Sequence, residues 1–368
     1  MRIRAYADLH LFVNKFDMDR YIQEELEDIK TNLINDPIDL LVFCGDLTHL
    51  PYRSDDIRFI NTIKFITDIV DICRKKNILF RIIQGTSTHD GKIINILQKI
   101  FKNESHVKCF ASLAYEDLNG LVIRYLPEPY FDTYANFKEY AFDRKADITF
   151  FHGTISGLLP VIRQLDNVTN LPKSIVIDRY DLINNTNLFS AGGHIHKHIN
   201  IDNKIFYINS LTTHNFSDIN NIKGYMEFII DDNKNWNYKY IENDKAPKYL
   251  EYKIENIHNK LKEDIKKIAG NIMLLNGPRD HLRFTITGLL NRNSTSNVAY
   301  LRTILKRYDV KIITKYEEAK SIKHEEEYGD FFMDPSIEIS KKIHKIIELD
   351  YNNKISLDRV KRLINKNE

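Results

Sequence analysis

The sequence predicts an α/β fold, in which short buried strands alternate with amphipathic helices. The run 38–44 is almost wholly apolar, as expected of a strand that is covered on both faces. Apolar residues at helical spacing mark 17–33 before this run and 57–75 after it. Several short apolar runs also end in a turn that carries Asp or His. Open α/β sheets place their sites at such strand ends, so these polar residues are expected to converge.

The strands can be followed in chain order. A strand over 2–7 stops at Asp8, and the run 38–44 stops at Gly45 and Asp46. Alternating apolar residues and the turn pair Asn119-Gly120 favour a hairpin later in the chain. The remaining strand candidates, with the two arms of that hairpin, are 78–83, 113–118, 121–126, 148–151, 188–191, 204–208, 225–230 and 236–241.

The pattern changes after about residue 245, which suggests a domain boundary there. The region 1–244 is predicted to be one domain, and 245–316 a small α+β domain. That second region is predicted to contain strands at 249–254, 282–287 and 310–314, with a basic helix after the first and a helix at 298–308. The segment 317–335 is predicted to be an acidic linker, because residues 317 to 334 hold seven acidic residues against two lysines.

The last segment, 336–368, is predicted to form two short amphipathic helices. The first carries Ile339, Ile343, Ile346 and Ile347 at helical spacing. The second starts at Ser356, a residue type that caps helix N-termini well.

Composition limits the functions that the chain can have. The 53 basic residues nearly cancel 51 acidic ones, so a nucleic-acid partner would have to meet positive charge gathered locally by the fold. The three cysteines include no C-x-x-C pair, which argues against a disulfide framework and fits a reducing cytoplasm. The sequence shows neither a signal-peptide pattern nor an apolar run of about 20 residues, so a soluble cytoplasmic protein is expected.

Two motifs place a carboxylate directly after a strand. Asp8-Leu9-His10 puts a carboxylate and an imidazole two residues apart in a turn, where both can bind one cation. Asp46, in Gly45-Asp46-Leu47-Thr48-His49, has two oxygens that could each bind a different metal ion. Alone, the first pattern is better explained by a capping Asp and a surface His, and the second is explained equally well by an N-cap Asp.

Three further motifs carry histidines. His89 follows the third strand and is a candidate general acid, with Asp90 as the residue that would orient it. His152 ends the strand at 148–151. The pair His194-Ile195-His196 follows two glycines and is the strongest single metal-binding motif. The alternatives are a helix-capping turn for His89 and a structural role for His152.

Taken together, the five motifs predict a centre with two metal ions. The ligand atoms are oxygen and nitrogen without thiolate, a set that suits Mn, Zn or Fe at a hydrolytic site. Two such ions can bind both non-bridging oxygens of a phosphate and activate water at neutral pH. One binuclear site explains all five motifs together, whereas the alternative requires a separate structural role for each motif.

The motif order D-x-H, G-D, H-D, H, G-H-x-H resembles that of the calcineurin-like metallophosphoesterase family, over about residues 1 to 240. Within that family the sequence is similar to the SbcD branch, the DNA nucleases also called meiotic recombination eleven. Three features carry this closer resemblance: D-L-H-L within the first eleven residues, the G-D-L-x-H form that supplies His49, and the small domain with a terminal helix pair.

The resemblance implies a fold and a set of roles. The fold would be a two-sheet sandwich flanked by helices, with a capping domain at 245–316 that positions DNA. The first metal ion would be held by Asp8, His10, Asp46 and His196. The second would be held by Asp46, His152 and His194. His89 would assist the leaving oxygen, and His49 would lie near the scissile nucleotide. The ions expected are two Mn²⁺, with Mg²⁺ as the alternative.

One departure from the family pattern affects the second metal ion. The family usually has G-N-H-D at the third motif, where the Asn amide oxygen is a ligand. Here the segment 85–90 has no Asn, and Ser87, Thr88 or a water molecule would have to fill that position. Because a neutral hydroxyl is a poorer ligand than an amide oxygen, the sequence predicts weaker binding of the second ion.

The function predicted by this resemblance is a metal-dependent DNA nuclease, with exonuclease activity on duplex ends and endonuclease activity on single strands. It would be a homodimeric subunit of an SbcCD-type complex for recombination, repair or replication, encoded by a bacteriophage or an AT-rich bacterium. Residues 336–368 would bind the coiled-coil ABC ATPase partner, or would instead pack on their own domain. The alternatives are a phosphoesterase for small molecules or phosphoproteins, and a scaffold of the same fold without catalysis.

Overall fold

A computed structural model of the chain describes residues 1–12, 18–158, 174–213, 219, 221–276, 280–317, 336–351 and 356–364. The chain forms two compact units, Met1–Glu251 with Gly277–Arg283, and Tyr252–Asn276 with Phe284–Glu368. Of the predicted acidic linker at 317–335, residues 318–335 lie outside the described part of the chain. Within the described residues, no helix combines the length and apolar character needed to cross a membrane.

The first unit has a mixed α/β fold that contains two six-stranded mixed sheets. The strands of the first sheet, in spatial order, are β12 (Trp236–Glu242), β11 (Gly224–Ile230), β1 (Arg2–Tyr6), β2 (Leu40–Cys44), β3 (Leu79–Ile83) and β4 (Val107–Phe110). Strands β1 to β4 are parallel, and β11 and β12 are antiparallel additions at one edge.

The second sheet has a similar plan. Its strands, in spatial order, are β5 (Ala114–Leu118), β6 (Leu121–Leu126), β7 (Ala146–His152), β8 (Thr186–Gly193), β10 (Ile205–Tyr207) and β9 (Ile199–Ile201). The four central strands β6, β7, β8 and β10 are parallel, and an antiparallel strand closes each edge. The carboxyl ends of the parallel strands therefore lie along one edge of each sheet.

Alternation along the strands explains how the layers pack. In β2 every residue is buried, with Leu40, Val42 and Cys44 in one core cluster and Leu41 and Phe43 in another. The cluster around Val42 also contains residues of the second sheet, so the two sheets pack against each other. A strand covered on both faces must be apolar at every position, which is why this run was recognisable in the sequence.

Helices cover the outer face of each sheet. The helices of the first unit are α1 (Met18–Asn35), α2 (Ile57–Lys76), α3 (Ser87–Asp90), α4 (Ile93–Ile100), α5 (Tyr134–Ala141) and α6 (Arg179–Asn184). Buried residues of α1, α2 and α4 share a core cluster with β2 and β3, whereas α5 and α6 share one with β7. Helix α2 begins where Asp56 accepts a hydrogen bond from the backbone N–H of Arg58, and it ends at Asn77 in the left-handed conformation.

The second unit contains most of a three-stranded sheet, in the order β13 (Tyr249–Ile254), β14 (His281–Leu289) and β15 (Asp309–Glu317). Its helices are α7 (Lys262–Leu275), α8 (Arg292–Ile304), α9 (Ile339–Tyr351) and α10 (Leu357–Ile364), with one turn of 3₁₀ helix at Ile257–Asn259. Helices α7 and α8 pack against each other, as do α9 and α10. The two helices expected in 336–368 are thus present among its described residues.

Candidate metal centre

The predicted ligands come together where the parallel strands of both sheets end. Asp8 follows β1, Asp46 follows β2, and His152 is the last residue of β7. The segments after β1 and β2 continue side by side, since the backbone N–H of His10 donates to the carbonyl of Asp46 at 2.9 Å. Asp8, His10 and Asp46 all have positive φ angles, near 45°, so the backbone bends sharply at these turns.

Six predicted ligands form two groups whose donor atoms are close enough to bind one cation each. We call Asp8, His10 and His196 the first ligand group and Asp46, His152 and His194 the second. Within each group the ligand atoms lie within 4.8 Å of one another. In the first group, the Nε2 atoms of His10 and His196 are 2.9 Å apart.

Asp46 belongs to the second ligand group and also lies beside the first. Its Oδ1 is 3.4 Å from Nε2 of His152, and its Oδ2 is 3.8 Å from Nε2 of His10. The backbone N–H of Thr86 donates to Oδ1 at 2.6 Å, which holds the carboxylate in place. This is the position that a carboxylate bridging two metal ions would need.

Backbone contacts hold the ligands in orientation. Nδ1 of His152 lies 2.9 Å from the carbonyl oxygen of Cys44 and donates to it, so Nε2 is the nitrogen that faces Asp46. The backbone N–H of His194 donates to both oxygens of Asp8, at 2.9 and 3.1 Å. Gly45 permits this packing, because a β-carbon there would lie 2.1 Å from Nδ1 of His152.

Burial makes the charges of the centre interdependent. Burial raises the pKa of Asp8 to about 7, although the positive charge of His152 opposes this. Burial acts in the same direction on Asp46, but attraction and hydrogen bonding to His152 hold the pKa of that carboxylate well below its usual value. Burial and the charge of His152 lower the pKa of His194, which favours its neutral, ligating form.

These residues fit a pair of divalent cations. Two buried carboxylates and four imidazoles supply hard oxygen and borderline nitrogen donors without thiolate. Buried carboxylates also need a positive charge to offset their lost hydration, and a divalent cation would supply it.

The predicted catalytic histidines border the first ligand group. The ring centroid of His89 is 4.7 Å from that of His10, and that of His49 is 5.5 Å from the same ring. Nitrogen atoms of these three histidines also lie within 4.8 Å of one another. Nδ1 of His89 is 2.5 Å from the carbonyl oxygen of His49, so the His49 backbone sets the orientation of the His89 ring.

Asp90 ties two loops together. Its Oδ1 accepts from the backbone N–H of Thr48 at 3.1 Å, and its Oδ2 accepts from that of Gly85 at 2.7 Å. Burial raises the pKa of Asp90 to about 7. These bonds tie the segment after β2 to the segment after β3. The contact that orients the His89 ring is made by the His49 carbonyl rather than by Asp90.

In the segment 85–90, the hydroxyl that lies beside the ligands is that of Thr86, and not that of Ser87 or Thr88 as the sequence suggested. Ser87 and Thr88 are exposed. Thr86 is buried, and its Oγ1 lies 3.3 Å from Oδ2 of Asp46 and 3.4 Å from Nε2 of His152. Thr86 is therefore the hydroxyl that reaches the second ligand group.

Sequence reasoning missed two charged residues near the centre. Lys223 is buried, and its Nζ donates to the carbonyl of His196 at 3.1 Å and to Oγ of Ser210 at 2.8 Å. Glu128 follows β6, and its Oε2 lies 3.9 Å from Nε2 of His152. Glu128 follows the strand predicted at 121–126, as the other ligands follow theirs, but no Asp or His beside it completes a metal-binding motif.

Comparison with known proteins adds little to this description. No family model matches the chain, and no curated protein matches it. Among solved structures, one crystal structure is aligned over 65% of this chain and 98% of its own, at 13% identity and a TM-score of 0.39. The glutamine-dependent NAD⁺ synthetase from Acinetobacter baumannii, in complex with ADP, is aligned over 93% of this chain and 69% of its own, at 10% identity and a TM-score of 0.31. At these TM-scores neither similarity supports a conclusion about fold family or function.

Proposed function

We propose that this chain is a two-metal phosphoesterase of the calcineurin-like type, with its two-sheet sandwich, and that it acts as a DNA nuclease of the SbcD branch. The observation that carries the proposal is the position of Asp46, which belongs to the second ligand group and also lies beside His10 of the first. Its two oxygens lie 3.4 and 3.8 Å from histidine nitrogens of different groups. A carboxylate so placed can bind two cations at once, which a mononuclear site would not require.

Each residue has a defined task in this proposal. Asp8, His10, His196 and Asp46 would hold one ion, and Asp46, His152 and His194 the other. When bound, two such ions would polarise a phosphate and lower the pKa of a water molecule so that it becomes a nucleophile at neutral pH. His89, whose Nδ1 would donate to the His49 carbonyl, leaves Nε2 as the nitrogen that, in the doubly protonated ring, could pass its proton to the leaving oxygen.

The choice of DNA as substrate rests on the sequence resemblance. It implies exonuclease activity on duplex ends and endonuclease activity on single strands, in a cytoplasmic homodimer. The partner would be an SbcC-type ATPase that binds helices α9 and α10. The alternatives remain a phosphoesterase for small molecules or phosphoproteins, and a scaffold without catalysis.

The proposal is tested by Mn²⁺-dependent hydrolysis of two substrates, end-labelled DNA and bis(p-nitrophenyl) phosphate. Hydrolysis by the wild-type chain should require Mn²⁺, and His89→Ala should lower it by roughly 10²–10⁴-fold, the usual contribution of general acid–base catalysis. His106→Ala, at a histidine outside the centre, is the matched control and should be unaffected.

The two substrates separate the alternatives. Cleavage of the small diester but not of DNA, even with the ATPase partner and ATP present, would favour the small-molecule phosphoesterase. Hydrolysis of neither substrate would favour the scaffold.

A further inference from the structure

A buried carboxylate outside the predicted motifs lies beside the second ligand group. Glu128 follows β6, and its side chain has no exposed surface. Among the residues that the structure describes, neither of its carboxylate oxygens has a hydrogen-bond partner. Burying an ionised carboxylate is costly unless a positive charge or a set of donors compensates for its lost hydration. Glu128 therefore occupies a place where a cation would be strongly favoured.

The distances place Glu128 around the same point as the second ligand group. Its Oε2 is 3.9 Å from Nε2 of His152, and that nitrogen is 3.4 Å from Oδ1 of Asp46. Ligand bonds of about 2.1 Å separate two donors on one metal ion by roughly 3 to 4 Å. A separation of 3.9 Å is too long for a hydrogen bond, so an ion pair with His152 alone does not satisfy the carboxylate.

The backbone holds Glu128 in this position. Pro127 and Pro129 flank it, and each proline ring fixes a φ angle. The N–H of Glu128 donates to the carbonyl of Gln84 at 3.4 Å, which ties the segment after β6 to the segment after β3. The carbonyl of Pro129 accepts from the N–H of Ile175 at 2.9 Å. A carboxylate held in this way loses little conformational freedom when it binds a cation.

We propose that Glu128 is a further ligand of the cation held by the second ligand group, an inference that rests on the proposed two-metal function. The site would then contain two carboxylates and two imidazoles, a donor set with more oxygen character that suits Mn²⁺. The sequence predicted a weak second site because the third motif lacks an Asn. With a charged oxygen from Glu128 in addition, the second site is expected to be tight.

The test is a Mn²⁺ titration of the full metal-free chain by calorimetry, followed by electron paramagnetic resonance. The wild type should bind two Mn²⁺ tightly and show the coupled signal of two adjacent ions. Glu128→Gln keeps the shape of the side chain and removes its charge. It should bind one Mn²⁺ tightly and the second at least tenfold more weakly, with loss of the coupled signal. Glu139→Gln, at an exposed glutamate on α5, removes an equal charge and should behave as the wild type.

Each outcome bears on a different claim. Two equally tight sites in Glu128→Gln, with two in the wild type, would overturn the role of Glu128 and leave the two-metal centre standing. A wild type that binds no Mn²⁺ would overturn the two-metal function, and the ligand proposal with it.

The stability gained on metal binding distinguishes a ligand from a structural counter-charge to His152. If Glu128 is a ligand, saturating Mn²⁺ should raise the unfolding midpoint of the wild type by more than that of Glu128→Gln, because the wild type binds the second ion more tightly. An equal rise in both chains would show that the residue serves only the fold, and would overturn the proposal.

Discussion

Gly45→Ala should disable the second ligand group without altering any ligand. A β-carbon at this position would lie 2.1 Å from Nδ1 and 2.4 Å from Cγ of His152. Ordinary contacts begin at 3.4 Å, so the imidazole would have to move by more than about 1 Å. That movement would also break the 2.9 Å hydrogen bond to the Cys44 carbonyl, which orients the ring. A misplacement of this size at a catalytic site costs roughly 10²-fold in rate.

The assay compares Mn²⁺ binding and diester hydrolysis in Gly45→Ala and Gly120→Ala. Both glycines have positive φ, 82° and 75°, so both alanines carry a left-handed strain of about 1–2 kcal/mol. A β-carbon on Gly120 meets nothing within 4 Å, so this variant has the strain without the collision. Gly120→Ala should therefore lose some stability but keep both activities. Normal Mn²⁺ binding and hydrolysis in Gly45→Ala would refute the reasoning that this glycine exists to admit His152.

Two further predictions concern the fold and the partner. Glu116→Gln should destabilise the chain by roughly 3–5 kcal/mol at pH 7, because it leaves the buried Arg81 guanidinium, now 2.5 Å from a carboxylate oxygen, without a counter-charge. Burial opposes ionisation of Glu116, yet hydrogen bonds from Arg81 and Lys108 hold its pKa below the usual 4.5. The difference in unfolding free energy between the wild type and Glu116→Gln should therefore be full above pH 4.5 and shrink as the pH falls below it. Denaturant titrations at pH 7 and pH 3.5 measure this difference, and Asp117→Asn, at an exposed carboxylate, is the control. An equal loss of stability at both pH values would contradict the role given to the ionised Glu116. Ile339→Glu, at an exposed position of α9, should weaken binding of the proposed SbcC-type partner in a pull-down or calorimetric assay without lowering the melting temperature. Unchanged binding would argue against docking through α9.

The elements that the sequence predicted well are those buried on both faces or strongly periodic. The continuous apolar run gave β2 within two residues, and helical spacing gave α2 almost completely. Strand β4, Val107–Phe110, was missed because its four residues include an exposed lysine and carry no turn signal of their own. Helix α8 was expected at 298–308 and begins at Arg292, because the polar N-cap Asn291 with Ser294 starts the helix before any apolar residue appears.

The candidate site was predictable to the extent that ligands follow strands. Five strand ends carried Asp or His in the sequence. The structure brings the residues of four of them into the two ligand groups and places His89, from the fifth, beside His10. Which hydroxyl faces the second group was not predictable, because Thr86, Ser87 and Thr88 are alike in sequence and differ only in burial. Glu128 was missed for a similar reason. A single glutamate between two prolines is typical of a surface loop, and its burial cannot be predicted from the sequence.

The meeting of both sheets at the centre has a consequence for how the chain folds. The hydrogen bonds between His194 and Asp8 join residues that are 186 positions apart, and His152 contacts Cys44 across 108 positions. Contacts of such long range form late, because closing large loops costs entropy before the contacts exist. Neither ligand group is complete in a chain that has formed only β1 to β4, so a nascent chain would gain tight affinity for cations only after β8 and the two histidines that follow it have been added. Metal uptake during refolding would thus follow the docking of the two sheets, and bound cations would then slow their separation.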